Sequence, residues 1–164
     1  MLYLMDASAL ITAHNTYLAL HRVPEFWGWL LHHGGDGSIK LPKPIYEEVE
    51  DGTDALADWM KDAATKEALL FSEAADLGCV QHVMGCYGGN LSEADMVTIG
   101  KDPFLVAAAF GDPVQRCVVT AEGSKPGQTG PRRHIPNVCG DCGVQWITPV
   151  QLLNTLDFTT AWNA

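Results

Sequence analysis

Five short apolar runs, separated by stretches of helical periodicity, constrain the fold of this chain more than any other feature. They are LYLM (2–5), IKL (39–41), LLF (69–71), RCVVT (116–120) and VQWITP (144–149). Each has the length of a strand and its large apolar or β-branched residues. Between them, ASALITAHNTYL (7–18), PEFWGWLLHH (24–33), PIYEEV (44–49), DALADWMKDAA (54–64), 73–87 and DPFLVAAAF (102–110) read as helices, as does the closing VQLLNTL (150–156). Strands that alternate with helices pair in parallel, because only a crossover of a dozen or more residues brings the chain back in the same direction. An α/β domain with a mainly parallel sheet is expected. HGGDGS (33–38), GGN (88–90) and the Gly/Pro-rich EGSKPGQTGPRRHIP (122–136) read as loops.

With 164 residues, nearly half of them apolar, the chain has the length of one domain and the material for a core, which excludes a disordered protein. No basic segment precedes the first apolar run, and Asp6 interrupts it, so no signal peptide is expected. No apolar run reaches the roughly 20 residues of a membrane-spanning helix. A cytoplasmic protein is the expectation. The formal charge of −10 argues against holding nucleic acid by bulk electrostatics. It leaves room for an enzyme that handles nucleic acid through bound metal and a few local cations, and it suits a basic protein partner. The odd count of cysteines, Cys79, Cys86, Cys117, Cys139 and Cys142, reads as reduced thiols and not as a disulfide framework.

Four acidic residues stand where expected strands end or expected helices begin: Asp6, Glu48, Asp102 and Glu122. In open α/β sheets, ligands bind beyond the carboxyl ends of the strands. Asp6 directly follows the first strand, Glu122 lies two residues past VVT, and Asp102 opens a helix just before Pro103. Glu48 lies about one turn into its helix, on the side of Ile45 and Val49, and is expected to face inward. Taken singly, Asp102 reads as a helix cap, Glu122 as a loop residue and Glu48 as one member of an acidic run with Glu47, Glu50 and Asp51. Taken together, carboxylates that converge repel one another unless a divalent cation joins them. Mg²⁺ and Mn²⁺ take such oxygen donors and commonly act on phosphate esters. Ser8 and Thr120 stand beside two of the acids, either as hydrogen-bonding support for them or as a helix cap and a strand-end hydroxyl.

The segments MDASALI, IYEEV, DPFLVAAA and VVTAE, in this order, resemble the PIN domain. The likeness is strongest to a group of bacterial PIN-like proteins of unassigned function, through FWGWL, DPFLVA and HIPNVC…GVQWITPVQLL. It runs from residue 2 to about residue 156. The resemblance implies a three-layer, Rossmann-like α/β/α domain over 1–157, with 158–164 as a C-terminal tail. It implies that Asp6, Glu48, Asp102 and Glu122 form the acidic cluster, with Asp6 and Asp102 as the main metal ligands. It further implies Mg²⁺- or Mn²⁺-dependent cleavage of RNA, as in the VapC-type toxins of toxin–antitoxin pairs. An antitoxin or DNA-binding regulator would then be the protein partner, and a homodimer is a further expectation. Two positions depart from the family pattern: Lys101 precedes Asp102, and the fourth acid is the longer Glu122. The alternative function is a PIN-fold module that binds RNA or protein without turnover.

Lys125, Arg132 and Arg133 follow Glu122 in the same loop, which is either a holder of substrate phosphate, and a mobile lid, or an ordinary surface loop. Cys139 and Cys142 form a CxxC near His134, half of a zinc site. Cys79, His82 and Cys86 share a helical face that offers another half, although buried cysteines also serve as small apolar residues. The tryptophans of FWGWL read as packing before they read as a partner surface. Two other phosphate chemistries fit poorly. A haloacid-dehalogenase phosphatase needs a second Asp where Ser8 stands, and a receiver domain needs a Lys soon after VVT.

Overall fold

The computed structural model describes residues 1–164. Five strands, β1 (Leu2–Met5), β2 (Ile39–Pro42), β3 (Leu70–Phe71), β4 (Arg116–Val119) and β5 (Gln145–Ile147), form one sheet in the order β3-β2-β1-β4-β5. Every pairing is parallel, with Tyr3 opposite both Ile39 and Cys117, and Val118 opposite Trp146. The α/β expectation holds. After β3 the chain crosses back over β1 to lay β4 on its far side, so the winding reverses between β1 and β4. That reversal opens a crevice at the carboxyl ends of these two strands. Leu4 and Val118 on one face, and Met5 and Val119 on the other, are all buried, so the two strands are core on both faces.

Ten helices connect and cover the strands in a three-layer α/β/α arrangement. They are α1 (Ala7–Asn15), α2 (Pro24–Gly35), α3 (Lys43–Glu50), α4 (Ala55–Lys61), α5 (Ala63–Leu69), α6 (Leu77–Tyr87), α7 (Glu93–Ile99), α8 (Asp102–Phe110), α9 (Ile135–Cys142) and α10 (Pro149–Thr155). Helix α8 packs on β1, β2 and β4, and α9 packs on β5, with α6 against both helices. Helices α2 and α5 pack on β2 and on each other. The last contact is close: a Cβ at Gly34 would fall 2.7 Å from Leu69 and 2.8 Å from the Ala68 carbonyl oxygen. Helix α2 runs to Gly35, two residues past its expected end at His33, and this contact holds the added turn against α5. No helix is long and apolar enough to cross a membrane.

Capping side chains account for the other boundary differences. DALADWMKDAA is two helices, because the Asp62 carboxylate accepts from the Ala64 and Thr65 N–H groups and starts α5 in mid-run. The helix expected from residue 73 begins at Leu77, where Asp76 caps the Cys79 N–H at 2.8 Å. LSEADMVTIG, to which apolar spacing assigns no element, forms α7 behind a Ser92/Asp95 capping box. Helix α9 emerges from the expected loop of 122–136. Residues 158–164 do not trail as a tail. Phe158 packs edge-on against Phe26 and Trp29, and the Trp162 indole donates to the Glu25 carbonyl at 2.8 Å. The FWGWL aromatics are core: Phe26, Trp27 and Trp29 are buried.

Candidate functional site

The crevice between β1 and β4 gathers the acids around Asp6. Its side chain is 5 % exposed, the least accessible carboxylate of the set. Asp6 Oδ2 accepts from the Ser8 hydroxyl and, at 2.9 Å, from the Thr120 hydroxyl. Each hydroxyl oxygen in turn accepts a backbone N–H from the turn after β4: Ala121 to Ser8 at 3.3 Å and Glu122 to Thr120 at 3.1 Å. A hydroxyl that accepts from an amide has its own proton free to give, so the turn aims both protons at Asp6. Ser8 and Thr120 thus have the supporting geometry expected of them. Asp6 Oδ1 has no side-chain partner.

Asp102 is the first residue of α8 and makes no capping hydrogen bond, so it is not the helix cap it resembles when read alone. Burial, then the charges of Asp6, Glu122 and Glu48 in that order, push its carboxyl up to about 7. Asp6 is raised too, chiefly by burial and further by Glu122, against the opposing hydrogen bonds of Ser8 and Thr120. Glu48 corrects an expectation: as a whole its side chain is exposed and stands at the rim instead of facing inward. Its carboxyl is nonetheless raised, because enough protein surrounds the carboxyl end to desolvate it, and Asp6 adds like charge while Lys101 opposes. Mutual influence of this kind requires proximity.

Glu122 is half-buried, and its Oε2 accepts the Ile135 N–H at 2.8 Å, the first amide of α9. His134 Nδ1 lies 3.9 Å from the same oxygen. One oxygen of Glu122 therefore starts a helix and the other is uncommitted. No three of the four carboxylates bring oxygens within 4.8 Å of one another. They share one crevice and one field without closing to a point. Asp102 and Glu48 have no hydrogen-bond partner, and no lysine or arginine lies within 4 Å of any of the four. A donor set of hard, uncommitted oxygens with raised carboxyls fits Mg²⁺ or Mn²⁺.

The three loop cations divide. Arg133 is committed to structure: its Nη1 donates to the Cys86 carbonyl at 2.7 Å and to Asp141 at 2.5 Å, so it is not free to hold a phosphate. Lys125 and Arg132 are exposed and unpaired. The loop itself is tethered at Lys125 N–H, which donates to Asn137 Oδ1 at 2.8 Å. Apolar spacing gives no hint of Tyr87. Its side chain is 2 % exposed, its hydroxyl has no partner, and burial and Asp102 keep the phenol protonated. A cavity of about 630 Å³ lies elsewhere, beside β3, between Phe71, Glu73, Phe104 and Arg116, and contains none of the four acids.

A parallel α/β/α domain with acidic side chains at its topological switch point is the class that fold and site define. The chain belongs to the family described as a domain of unknown function, DUF4411, which matches residues 3–160. No curated protein matches it.

Proposed function

We propose that this protein is a metal-dependent endoribonuclease of PIN type, the toxin of a toxin–antitoxin pair, acting in the cytoplasm. The observation that carries the reading is the buried Asp6, held by two hydroxyls, in one field with Asp102, Glu48 and Glu122 and with no lysine or arginine paired to any of them. Asp6 and Asp102 would hold the cation, and Glu48 and Glu122 would complete its oxygen cage or orient the attacking water. A bound Mg²⁺ or Mn²⁺ supplies Lewis-acid chemistry at a phosphate ester. Ser8 and Thr120 fix the Asp6 carboxylate so that it does not turn away from the crevice. Lys125 and Arg132 are the cations left to steer an RNA backbone onto a surface of net negative charge. The acidic surface also suits a basic antitoxin.

A second reading, a PIN-fold module that binds RNA or protein without turnover, draws on Glu122, one of whose oxygens is spent on starting α9. Incubation of single-stranded RNA with the protein and Mn²⁺ separates the two. Cleavage that disappears in Asp6→Asn supports the nuclease. Tight RNA or protein binding with no cleavage of any RNA supports the module.

A further inference from the structure

On the far side of α9 from the acids, two thiols and an imidazole meet. Cys86 Sγ stands 3.3 Å from Cys142 Sγ, and the ligand atoms of His82, Cys86 and Cys142 all lie within 4.8 Å of one another. His82 and Cys86 are four residues apart on α6 and so share a face. Cys142 is the last residue of α9, and the Arg133 guanidinium draws that end against α6 by bridging Asp141 and the Cys86 carbonyl. The His82 ring stacks on Phe110 with centroids 4.5 Å apart and planes 4° from parallel, which fixes its orientation. Cys142 is buried, Cys86 half-buried and His82 exposed, so the cluster opens to solvent on the imidazole side. The CxxC is not the ligand pair: Cys139 is fully buried in the core and outside the group, and Cys79, half-buried on its own turn of α6, is outside it too.

Two sulfurs and an imidazole select a thiophilic cation over the hard ions suited to carboxylates. We propose that His82, Cys86 and Cys142 form a second metal site that binds Zn²⁺ through two thiolates and one imidazole nitrogen, with the fourth position open to water or an incoming ligand. The two thiol protons pass to solvent as the metal binds. The bound ion joins α6 to α9, and the site stands or falls independently of the acidic one. The thiol pair alone would equally suit a disulfide, in which a small-molecule disulfide takes up the two electrons and two protons. The imidazole one turn from Cys86, with a ring nitrogen within 4.8 Å of both sulfurs, is what favours the metal.

Cobalt titration of the reduced full-length protein tests this. About one equivalent of Co²⁺ is expected to give sulfur-to-metal charge-transfer absorption in the near ultraviolet and tetrahedral bands in the visible, both displaced by Zn²⁺. Carboxylate-bound cobalt gives no such charge-transfer band, so Asp6→Asn leaves it unchanged. Zn²⁺ at a hundredfold excess over its Kd should raise Tm by roughly 5–10 °C. Cys86→Ser and Cys142→Ser each remove the band. His82→Ala, at an exposed position where the fold is not at risk, weakens Zn²⁺ binding at least about tenfold, the loss that even an outer-shell partner causes. Absence of the band in the reduced protein, its survival in both cysteine variants, or unchanged Zn²⁺ affinity in His82→Ala overturns the site. So does a reduced protein that takes up no cobalt but loses two hydrogens in mass on exposure to oxidised glutathione, which makes Cys86 and Cys142 a disulfide pair.

Discussion

The acidic crevice and the thiol–imidazole corner lie at the two ends of α9, where Glu122 receives the first amide and Cys142 is the last residue. The crevice draws its side chains from four elements that meet because the sheet reverses its winding there, and no three of its carboxylates come within 4.8 Å of one another. The corner draws on two helices, and its donors already sit within ligand distance of one another. Charge accounts for the difference. Neutral thiols and imidazole can pack together, whereas carboxylates gathered at one place raise each other's proton affinity. A site of hard donors is thus organised by topology and hydrogen bonds, and a site of soft donors by packing.

The largest test of this contrast exchanges the two sites. Asp6→Asn should lower Mn²⁺-dependent RNA cleavage by at least about a hundredfold, the upper range for loss of an outer-shell partner alone, and leave cobalt–thiolate absorption intact. His82→Ala should leave cleavage intact and weaken Zn²⁺ binding at the thiol–imidazole corner at least about tenfold. If either variant impairs both readouts, the sites are one coupled unit. Thr120→Val comes next. It removes one of the two protons that fix Asp6 and should reduce cleavage by about 10–100-fold, measured at saturating metal.

A smaller effect concerns pH. Asp102 titrates near 7 in the folded protein against an ordinary value of 3.8. Between those values the folded state holds a proton that the unfolded chain releases, so metal-free stability falls as pH rises from about 4 to about 7 and then levels. In Asp102→Asn that decline should shrink, leaving the part that the raised Asp6 and Glu48 contribute, and above pH 7 the metal-free variant should melt higher than the parent. Thermal melts across this range without divalent ions check it. The smallest effect is expected from Tyr87→Phe. Removing a buried hydroxyl that has no partner should stabilise the metal-free protein by on the order of 1 kcal/mol, read from denaturant midpoints. A loss of stability would instead reveal a hydrogen bond, with Asp102, whose charge acts on the phenol, as a candidate acceptor.

The sheet was legible because each strand is a short apolar run and each crossover a helix. Asp6 was legible for the same reason, since a carboxylate directly after a buried strand has to lie at the sheet's end. Glu48 was misjudged because helical spacing gives a side chain's direction but not how far the neighbouring elements reach over it. Helix α9 is not legible in the sequence because it has only eight residues, with Pro136 in its first turn and Gly140 near its end, and its start is set by Glu122 from outside its own sequence. Arg133 looked like a free cation because its partners, Asp141 and the Cys86 carbonyl, are assigned by tertiary packing. Cys86, His82 and Cys142 stand in the two half-sites legible in the sequence, but which members meet across 56 positions is set by how α6 packs on α9 and leaves no local mark.

The two outer strands of the sheet, β3 with two residues and β5 with three, bear on how the protein meets others. A foreign strand laid along either margin would find only a few backbone groups to bond, too short a ladder for templated growth or strand exchange. Recognition is therefore left to the helical flanks and the loops above the crevice, and concentrated solutions of the folded protein should resist fibre formation.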